Sequence, residues 1–293
     1  MTQPQPQTPP KPAEHSSFKF EAIYLLPILA SLAFGLICAL ILAPHQTELV
    51  YPSAPAGEDT PGAPLYNAAY FVILLAISAT VFYILLKRKS KKLITILITI
   101  AMTTAALLVS FVYLTAALYS VPYADWIIIP LAILITALFD LAIFKFGGQA
   151  RNAAVICIGG ALGIYLGSSF LQYAGLLSVI VILIFLSIYD IIAVYRGPVG
   201  KIAENGLDQL SGLSFSFKDI QMGLGDLVFY SVLTGAVYFQ FAYSILPVVA
   251  SILGIMIGAV ITFYMLEKRG VFPGLPFPII LGLALGLAAG FLL

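Results

Sequence analysis

The stretch Gln221-Met222-Gly223-Leu224-Gly225-Asp226 places a carboxylate in an apolar segment that continues to Phe239. The interpretation of the chain starts from this acid, because an ionisable residue in a membrane segment is costly and is by default a functional candidate. A second acid, Asp190, lies near the end of the preceding apolar segment, in Ile188-Tyr189-Asp190-Ile191-Ile192. These two carboxylates are therefore the first candidates for the chemistry of the protein.

The composition indicates an integral membrane protein. Of 293 residues, 61% are hydrophobic and only 9% are charged, whereas soluble domains carry roughly 25% charged residues. The net charge of +1 gives no sign of nucleic acid binding. Cys38 and Cys157 lie in different apolar segments without a CxxC spacing, and His15 and His45 lie outside the apolar runs. We therefore expect no metal site and no cofactor.

Apolar runs of about 20 residues can cross a bilayer, and the sequence predicts nine such spans. They cover residues 20–43, 66–86, 93–119, 126–144, 152–167, 173–195, 219–239, 242–266 and 276–293. The breaks at 168–172 and 240–243 rest on short turns. Residues 1–18 are rich in Pro and Gln and are predicted to be a disordered tail. The first run is too long for a cleaved signal peptide.

Residues 196–218 form the long polar break in the second half of the chain. Several glycines interrupt it, so we expect a mobile cytoplasmic linker rather than a helix. The linker divides the chain into residues 19–195, with six predicted spans and Asp190, and residues 219–293, with three spans and Asp226. The second part also contains Pro273-Gly274-Leu275-Pro276 at the start of the last span.

The positions of the basic residues predict the orientation. If the N-terminus is cytoplasmic, all 14 Lys and Arg residues fall in the tail or in the loops on the cytoplasmic side. Cytoplasmic loops are enriched in Lys and Arg. We therefore predict a multi-pass protein of the cell membrane with its N-terminus in the cytoplasm and its C-terminus outside.

The predicted orientation brings the two acids to a similar depth. A rise of ~1.5 Å per helical residue places Asp190 about 9 Å and Asp226 about 12 Å inside the cytoplasmic boundary. Two carboxylates that meet in a poorly solvated site share one proton, so one can activate a water while the other polarises a peptide carbonyl. Gly223 and Gly225 would let this span approach a neighbour or a substrate backbone closely. A structural alternative is that the acids are hydrogen-bonded to Tyr189, Tyr230 or serines.

Other intramembrane features are expected to be structural. Asp140 lies five residues before Lys145 and is expected to be an interfacial acid paired with a basic side chain. Asp219, beside Lys218, is expected to be a helix-entry residue favoured by the helix dipole. Three glycine series are spaced for close helix packing: Gly159/Gly163/Gly167, Gly254/Gly258 and Gly282/Gly286/Gly290.

The motifs around the acids, Met222-Gly223-Leu224-Gly225-Asp226-Leu227-Val228-Phe229-Tyr230 and Ile188-Tyr189-Asp190-Ile191-Ile192-Ala193-Val194, closely resemble the catalytic motifs of the presenilin and signal-peptide-peptidase family of GxGD intramembrane aspartyl proteases. Pro273-Gly274-Leu275-Pro276 resembles the family's Pro-Ala-Leu-Pro motif, with Gly274 in place of Ala. The resemblance implies a presenilin-like, all-α polytopic fold and a catalytic pair of Asp190 and Asp226.

The same resemblance implies that eight further residues shape the active site or contact substrate: Tyr189, Gly223, Leu224, Gly225, Pro273, Gly274, Leu275 and Pro276. The implied substrate is the transmembrane helix of a single-span membrane protein. The short linker and the predicted orientation resemble a prokaryotic, archaeal-type presenilin homologue, which we expect to act in the lipid bilayer without accessory subunits.

The prolines of the third motif also suggest how substrate binds. They leave backbone groups that no helix pairs, and such backbone survives at membrane depth only if it is buried or lines a wet cavity. An unwound substrate strand is expected to pair with residues 273–276 and with the linker. Zinc and serine intramembrane proteases are excluded, because no predicted span contains a histidine. A proton-coupled transporter or channel, with the acids as a proton relay, and an inactive scaffold remain as alternatives.

Overall fold

The computed structural model describes residues 19–196, 214–217 and 220–292, and these residues are helical apart from loops and one β-hairpin. The helices are α1 (Leu26–Leu42), α2 (Gln46–Leu49), α3 (Ala63–Lys87), α4 (Lys91–Leu118), α5 (Asp125–Asp140), α6 (Gly148–Tyr195), α7 (Leu224–Gln240), α8 (Ile245–Arg269) and α9 (Pro276–Phe291). 3-10 turns flank α1 at Ala22–Leu25 and Ala43–His45, and a π-helix, Leu141–Phe146, continues α5. Strands β1 (Ser214–Phe217) and β2 (Ile220–Gly223) pair antiparallel.

Six helical segments of the described residues are long and apolar enough to cross a membrane. They are Ala22–Leu49, Ala63–Lys87, Lys91–Leu118, Trp126–Phe146, Gly148–Tyr195 and Ile245–Arg269. Helices α7 and α9 are shorter, with 17 and 16 residues. The chain is thus a multi-pass membrane protein, as the composition predicts. The predicted tail, residues 1–18, lies outside the described residues.

Helix α6 is bent, and the position of the bend corrects the sequence prediction. The helix has 48 residues, so a straight form would be about 72 Å long, more than twice the ~30 Å hydrocarbon core. The predicted break at 168–172 is wrong, because those residues are helical. The break lies at Gly175, with φ 77° and ψ 165°. This conformation is essentially restricted to glycine, so backbone freedom rather than local polarity determines where the helix bends.

The loop between α2 and α3 docks on this bend. The backbone N–H of Glu58 donates to the carbonyl of Tyr173 at 2.9 Å, and the Glu58 carboxylate lies against the Cα of Gly175. The buried side chain of Asn67 holds the loop by bonding both the N–H and the C=O of Ala56 at 2.9 Å. Glu58 therefore pairs a carbonyl before the bend and places negative charge at the start of the second arm, where the helix dipole favours it.

Glycines allow two pairs of helices to pack closely. A Cβ added at Gly163 of α6 would lie 2.4 Å from the carbonyl oxygen of Val228 in α7. A Cβ at Gly258 of α8 would lie 2.4 Å from the nitrogen of Pro278 in α9. Backbones this close leave no room for any side chain at these positions. The predicted packing role of the glycine series is confirmed.

The start of α7 is a second correction. The sequence predicts a helix from Asp219, but α7 begins at Leu224, and Ile220–Gly223 is instead a strand paired with Ser214–Phe217. Gly223, the last residue of the strand, has extended backbone, with φ −73° and ψ 143°. An apolar run therefore did not mean a helix here, because pairing with the preceding segment supplies the backbone hydrogen bonds. Residues 197–213 of the predicted linker, and Lys218 and Asp219, lie outside the described residues.

Candidate active site

The Pro273–Pro276 segment lies between the two acids and contacts both. Oδ2 of Asp190 accepts a hydrogen bond of 3.0 Å from the N–H of Leu275, and the backbone of Gly274 lies near the same carboxylate. Gly274 also lies against the other acid, since a Cβ added to it would be 2.9 Å from Oδ2 of Asp226. The two carboxyl groups are close enough to interact electrostatically. The three motifs therefore meet in one site.

Two helices position the acids in different ways. Asp190 lies in the second arm of α6, five residues before its end at Tyr195. Asp226 lies in the first turn of α7. The prediction that Asp226 lies inside a continuous helix is therefore wrong. The helical rise of ~1.5 Å used to estimate its depth does not apply to Ile220–Gly223, where a strand rises ~3.3 Å per residue.

Tyr230 holds the Pro273–Pro276 segment in place. Its hydroxyl donates a hydrogen bond of 2.8 Å to the carbonyl of Gly274, and only 1% of the residue is exposed. The sequence suggested Tyr230 only as a partner of the acids, and its contact with Gly274 was not predicted. The spacing in the sequence could have indicated a role at the site, because Tyr230 lies four residues after Asp226 and hence on the same face of α7.

The backbone of the Pro273–Pro276 segment is not helical before Pro276, where α9 begins. Pro273 and Pro276 are buried, and Leu275 is 6% exposed. The prediction of a buried non-helical segment next to the acids is confirmed. Asp190 and Tyr230 supply the hydrogen bonds that a helix would otherwise have provided.

Gly223 and Gly225 are exposed and do not bring α7 close to a neighbouring helix. A Cβ at Gly223 would lie 4.0 Å from Oδ2 of Asp226, and the nearest contact of a Cβ at Gly225 would be Phe229 of the same helix. The expected packing role is thus not seen. The other expected role, close approach of a substrate backbone at these glycines, stays a prediction.

Two neighbours of the acids differ in their surroundings. Leu224 is 8% exposed, and its Cδ1 would lie 3.1 Å from a Cβ added at Gly159 of α6. Tyr189 is half-buried and lies within electrostatic range of Asp190. Leu224 therefore anchors the start of α7 to α6, whereas Tyr189 borders the first acid.

Asp140 does not join the acid pair, and its predicted partner is wrong. Oδ2 of Asp140 accepts a hydrogen bond of 2.8 Å from the hydroxyl of Thr103 on α4. No basic side chain among residues 19–196, 214–217 and 220–292 lies within 4.0 Å of its carboxylate. A neutral donor from the adjacent helix bonds one oxygen of this acid instead, while Oδ1 is buried without a hydrogen-bond partner among the described residues. Asp140 therefore connects α4 and α5.

Two protein-family models match this chain, and the residues they match include both acids. Residues 32–211, which include Asp190, match a family model described as signal-peptide peptidase, presenilin aspartyl protease, and residues 202–293, which include Asp226, match one described as presenilin. No curated protein is significantly similar in sequence over the chain.

The fold resembles that of a presenilin family intramembrane aspartate protease solved in two crystal forms. For the C222 form the TM-score is 0.64 at 21% identity, covering 92% of this chain and 99% of that chain. For the P2 form the TM-score is 0.62 at 22% identity, covering 92% and 98%. The arrangement of the helices is therefore shared with that protein at low sequence identity.

Proposed function

Because the chain belongs to the presenilin and signal-peptide-peptidase family and is an intramembrane aspartyl protease, we propose that Asp190 and Asp226 are its catalytic pair. One observation carries the proposal: both carboxyl groups contact the same short segment, Asp190 through the N–H of Leu275 and Asp226 through Gly274. Acids with unrelated structural roles have no reason to converge on a single non-helical segment. The alternative of a proton relay in a transporter or channel is not favoured by the family match.

The donors around the pair suggest how the two acids divide the reaction. The N–H of Leu275 donates to Asp190 and stabilises negative charge on it, so Asp190 takes the proton of the attacking water. Asp226 then carries the shared proton and donates a hydrogen bond to the peptide carbonyl. Proton transfer to the leaving amine completes the cleavage and restores the singly protonated pair.

The substrate in this proposal is an unwound stretch of a transmembrane helix. It reaches Asp226 across Gly223 and Gly225, which carry no side chains to block it. The β1–β2 hairpin leads directly into this site, and a two-stranded ribbon has edges to which an extended peptide can add. Replacing Leu275 with Ala is expected to change the cleavage rate or shift the cleavage sites. Unchanged rate and sites would contradict substrate binding at this segment.

The test of the catalytic pair compares three Asp→Asn variants of the purified protein on a single-span substrate. Asp190→Asn and Asp226→Asn are expected to give no detectable product, because neither can complete the proton transfers. Asp140→Asn is the matched control, an acid-to-amide change in the same membrane, and is expected to remain active. Equal product from all three variants would refute the assignment.

We also propose nine spans with a cytoplasmic N-terminus. In support, Gly175 divides α6 into two arms, and helix ends at or next to Lys87, Lys145, Arg196 and Lys268 alternate along the chain with ends that lack Lys and Arg. Aromatic residues at one such end, Tyr123 and Trp126, are 86% and 84% exposed, as expected at a membrane interface.

Single cysteines test this orientation in a variant without the native ones. An impermeant maleimide added to intact cells should label a cysteine at Tyr123 but not one at Lys89, and the reverse pattern would invert the topology. We place the enzyme in the cell membrane and expect the purified chain to cleave without accessory subunits. A need for added membrane extract would contradict the second expectation.

A further inference from the structure

A dense group of cations lies at the turn between α3 and α4. Lys87, Arg88, Lys89, Lys91 and Lys92 occupy five of six consecutive positions, and all five are exposed. Within the described parts of the chain, none of them lies within 4.0 Å of a carboxylate. Mutual repulsion therefore has no compensating charge from these parts of the protein.

The turn is closed by its own hydrogen bonds, so the cations are held at defined positions on the backbone. Arg88 N–H donates to Ile84 at 2.9 Å, Lys89 N–H to Leu86 at 2.9 Å, and Ser90 N–H to Leu85 at 3.1 Å. Lys89 has a left-handed backbone, with φ 53°. The folded backbone thus concentrates charge in the first and last turns of two adjoining helices.

The location of the turn indicates what neutralises this charge. Both α3 and α4 are long and apolar enough to span a membrane, so the turn between them lies at the level of the lipid headgroups. Apolar side chains next to it are also exposed, among them Ile84 at 43%, Leu93 at 51% and Ile96 at 52%. Cations at headgroup level, next to an exposed apolar surface, are complementary to a molecule with a negatively charged headgroup and hydrocarbon chains.

Helix α3 also leaves room for such a molecule. No residue of α3 after Ala68 is buried, although Asn67 and Ala63 at its other end are fully enclosed. Helix α3 is therefore fully enclosed only at the end away from the cations, whereas Phe82, Leu85 and Leu86 near the cations are partly buried against the core. Lipid must cover much of the remaining surface.

We propose that the α3–α4 turn is a binding site for the headgroup of an anionic phospholipid, with the acyl chains along the exposed faces of α3 and α4. Free phosphate would neutralise the charge but would not cover the exposed apolar surface. An acidic segment of another protein would need to approach within the headgroup layer. Lipid binding is measured without a substrate. Absence of lipid binding would therefore contradict this proposal without bearing on the proposed catalytic pair.

Native mass spectrometry of the purified chain in detergent tests the proposal with phosphatidylglycerol and phosphatidylcholine of identical acyl chains. The neutral variant carries Lys87→Gln, Arg88→Gln, Lys91→Gln and Lys92→Gln, and Lys89 is kept because of its left-handed backbone. The wild type is expected to prefer phosphatidylglycerol. Removing four cations should weaken that binding at least about tenfold, since each cation near an anionic surface contributes several-fold.

Two further variants keep the result interpretable if the neutral variant folds poorly. A variant with Lys87, Lys89, Lys91 and Lys92 replaced by Arg retains the charge and should retain binding. The control Lys268→Gln/Arg269→Gln neutralises another helix end, where Lys268 Nζ already lies 4.3 Å from the ring of Tyr264, and should leave phosphatidylglycerol binding nearly unchanged.

Four results would overturn the proposal: equal retention of both lipids by the wild type, loss of binding in the Arg variant, an equal loss in the Lys268/Arg269 control, or displacement of phosphatidylglycerol by inorganic phosphate at equal concentration. Displacement by an acidic peptide at equal concentration would instead assign the turn to a protein partner.

Discussion

Replacing Gly175 with Ala tests whether the loop between α2 and α3 sets the bend in the helix that carries Asp190. Any residue other than glycine is strained at φ 77° and ψ 165°, which costs about 1–3 kcal/mol. In addition, the new Cβ would lie 2.6 Å from Cδ of Glu58, so the carboxylate must move away. Loss of its interaction with the start of the second arm adds about 0.3–1 kcal/mol.

Gly147 provides a matched control for the backbone strain. Its conformation, with φ 63° and ψ −160°, belongs to the same glycine region, but nothing lies within 4 Å of an added Cβ. Gly147→Ala should therefore show only the cost of the backbone strain, without a steric contact. We expect Gly175→Ala to lower the free energy of unfolding by about 1 kcal/mol more than Gly147→Ala does, the excess expected when a dipole-stabilised carboxylate is displaced.

The assay is reversible unfolding in mixed detergent micelles, followed by far-UV circular dichroism, for each glycine variant in the wild-type and Glu58→Ala backgrounds. Glu58→Ala removes the three atoms nearest to the new Cβ, all of them in the Glu58 side chain, so the excess cost of Gly175→Ala should disappear in that background. If the excess persists, or if the two glycine variants are equally destabilised in the wild-type background, the docking of Glu58 on the bend does not determine its stability.

Three further predictions concern the site. Gly274→Ala should lower kcat about threefold to tenfold with little change in KM, because a Cβ 2.9 Å from Oδ2 of Asp226 displaces a reacting group. An unchanged kcat would show that Asp226 tolerates the shift. Thr103→Val should destabilise the fold by about 1–3 kcal/mol, because the hydrogen bond to Asp140 is lost, while the folded variant should still cleave substrate. Loss of activity in the folded variant would contradict a purely structural role for Asp140. Activity from about pH 4 to about pH 9 should follow a bell-shaped curve, because the pair must hold one proton; a flat profile would contradict that mechanism.

Local sequence was sufficient to predict several features of the molecule. Apolar runs identify membrane helices because a buried backbone in lipid must satisfy its own hydrogen bonds. The glycine series predicted close packing because only absent side chains permit backbone contact. The two prolines around Gly274 predicted non-helical backbone, since proline has no N–H to donate.

The failures arose where a hydrogen-bond partner lies outside the helix that the sequence predicts. Ile220–Gly223 is as apolar as a helix start but pairs with Ser214–Phe217. Asp140 was expected to need a cation, yet a hydroxyl 37 positions away in the chain bonds it. Hydrophobic periodicity reports burial and carries no information about which partner supplies a hydrogen bond.

The sequence by itself determined that this is a membrane protein with two intramembrane acids in recognisable motifs, because apolarity, charge and motif are properties of neighbouring residues. Only the tertiary structure decided what holds the acids: Leu275 bonds Asp190 across 85 positions, and Tyr230 bonds Gly274 across 44. These contacts depend on how four helices pack and where one of them bends. That geometry is set by the whole bundle rather than by any one segment.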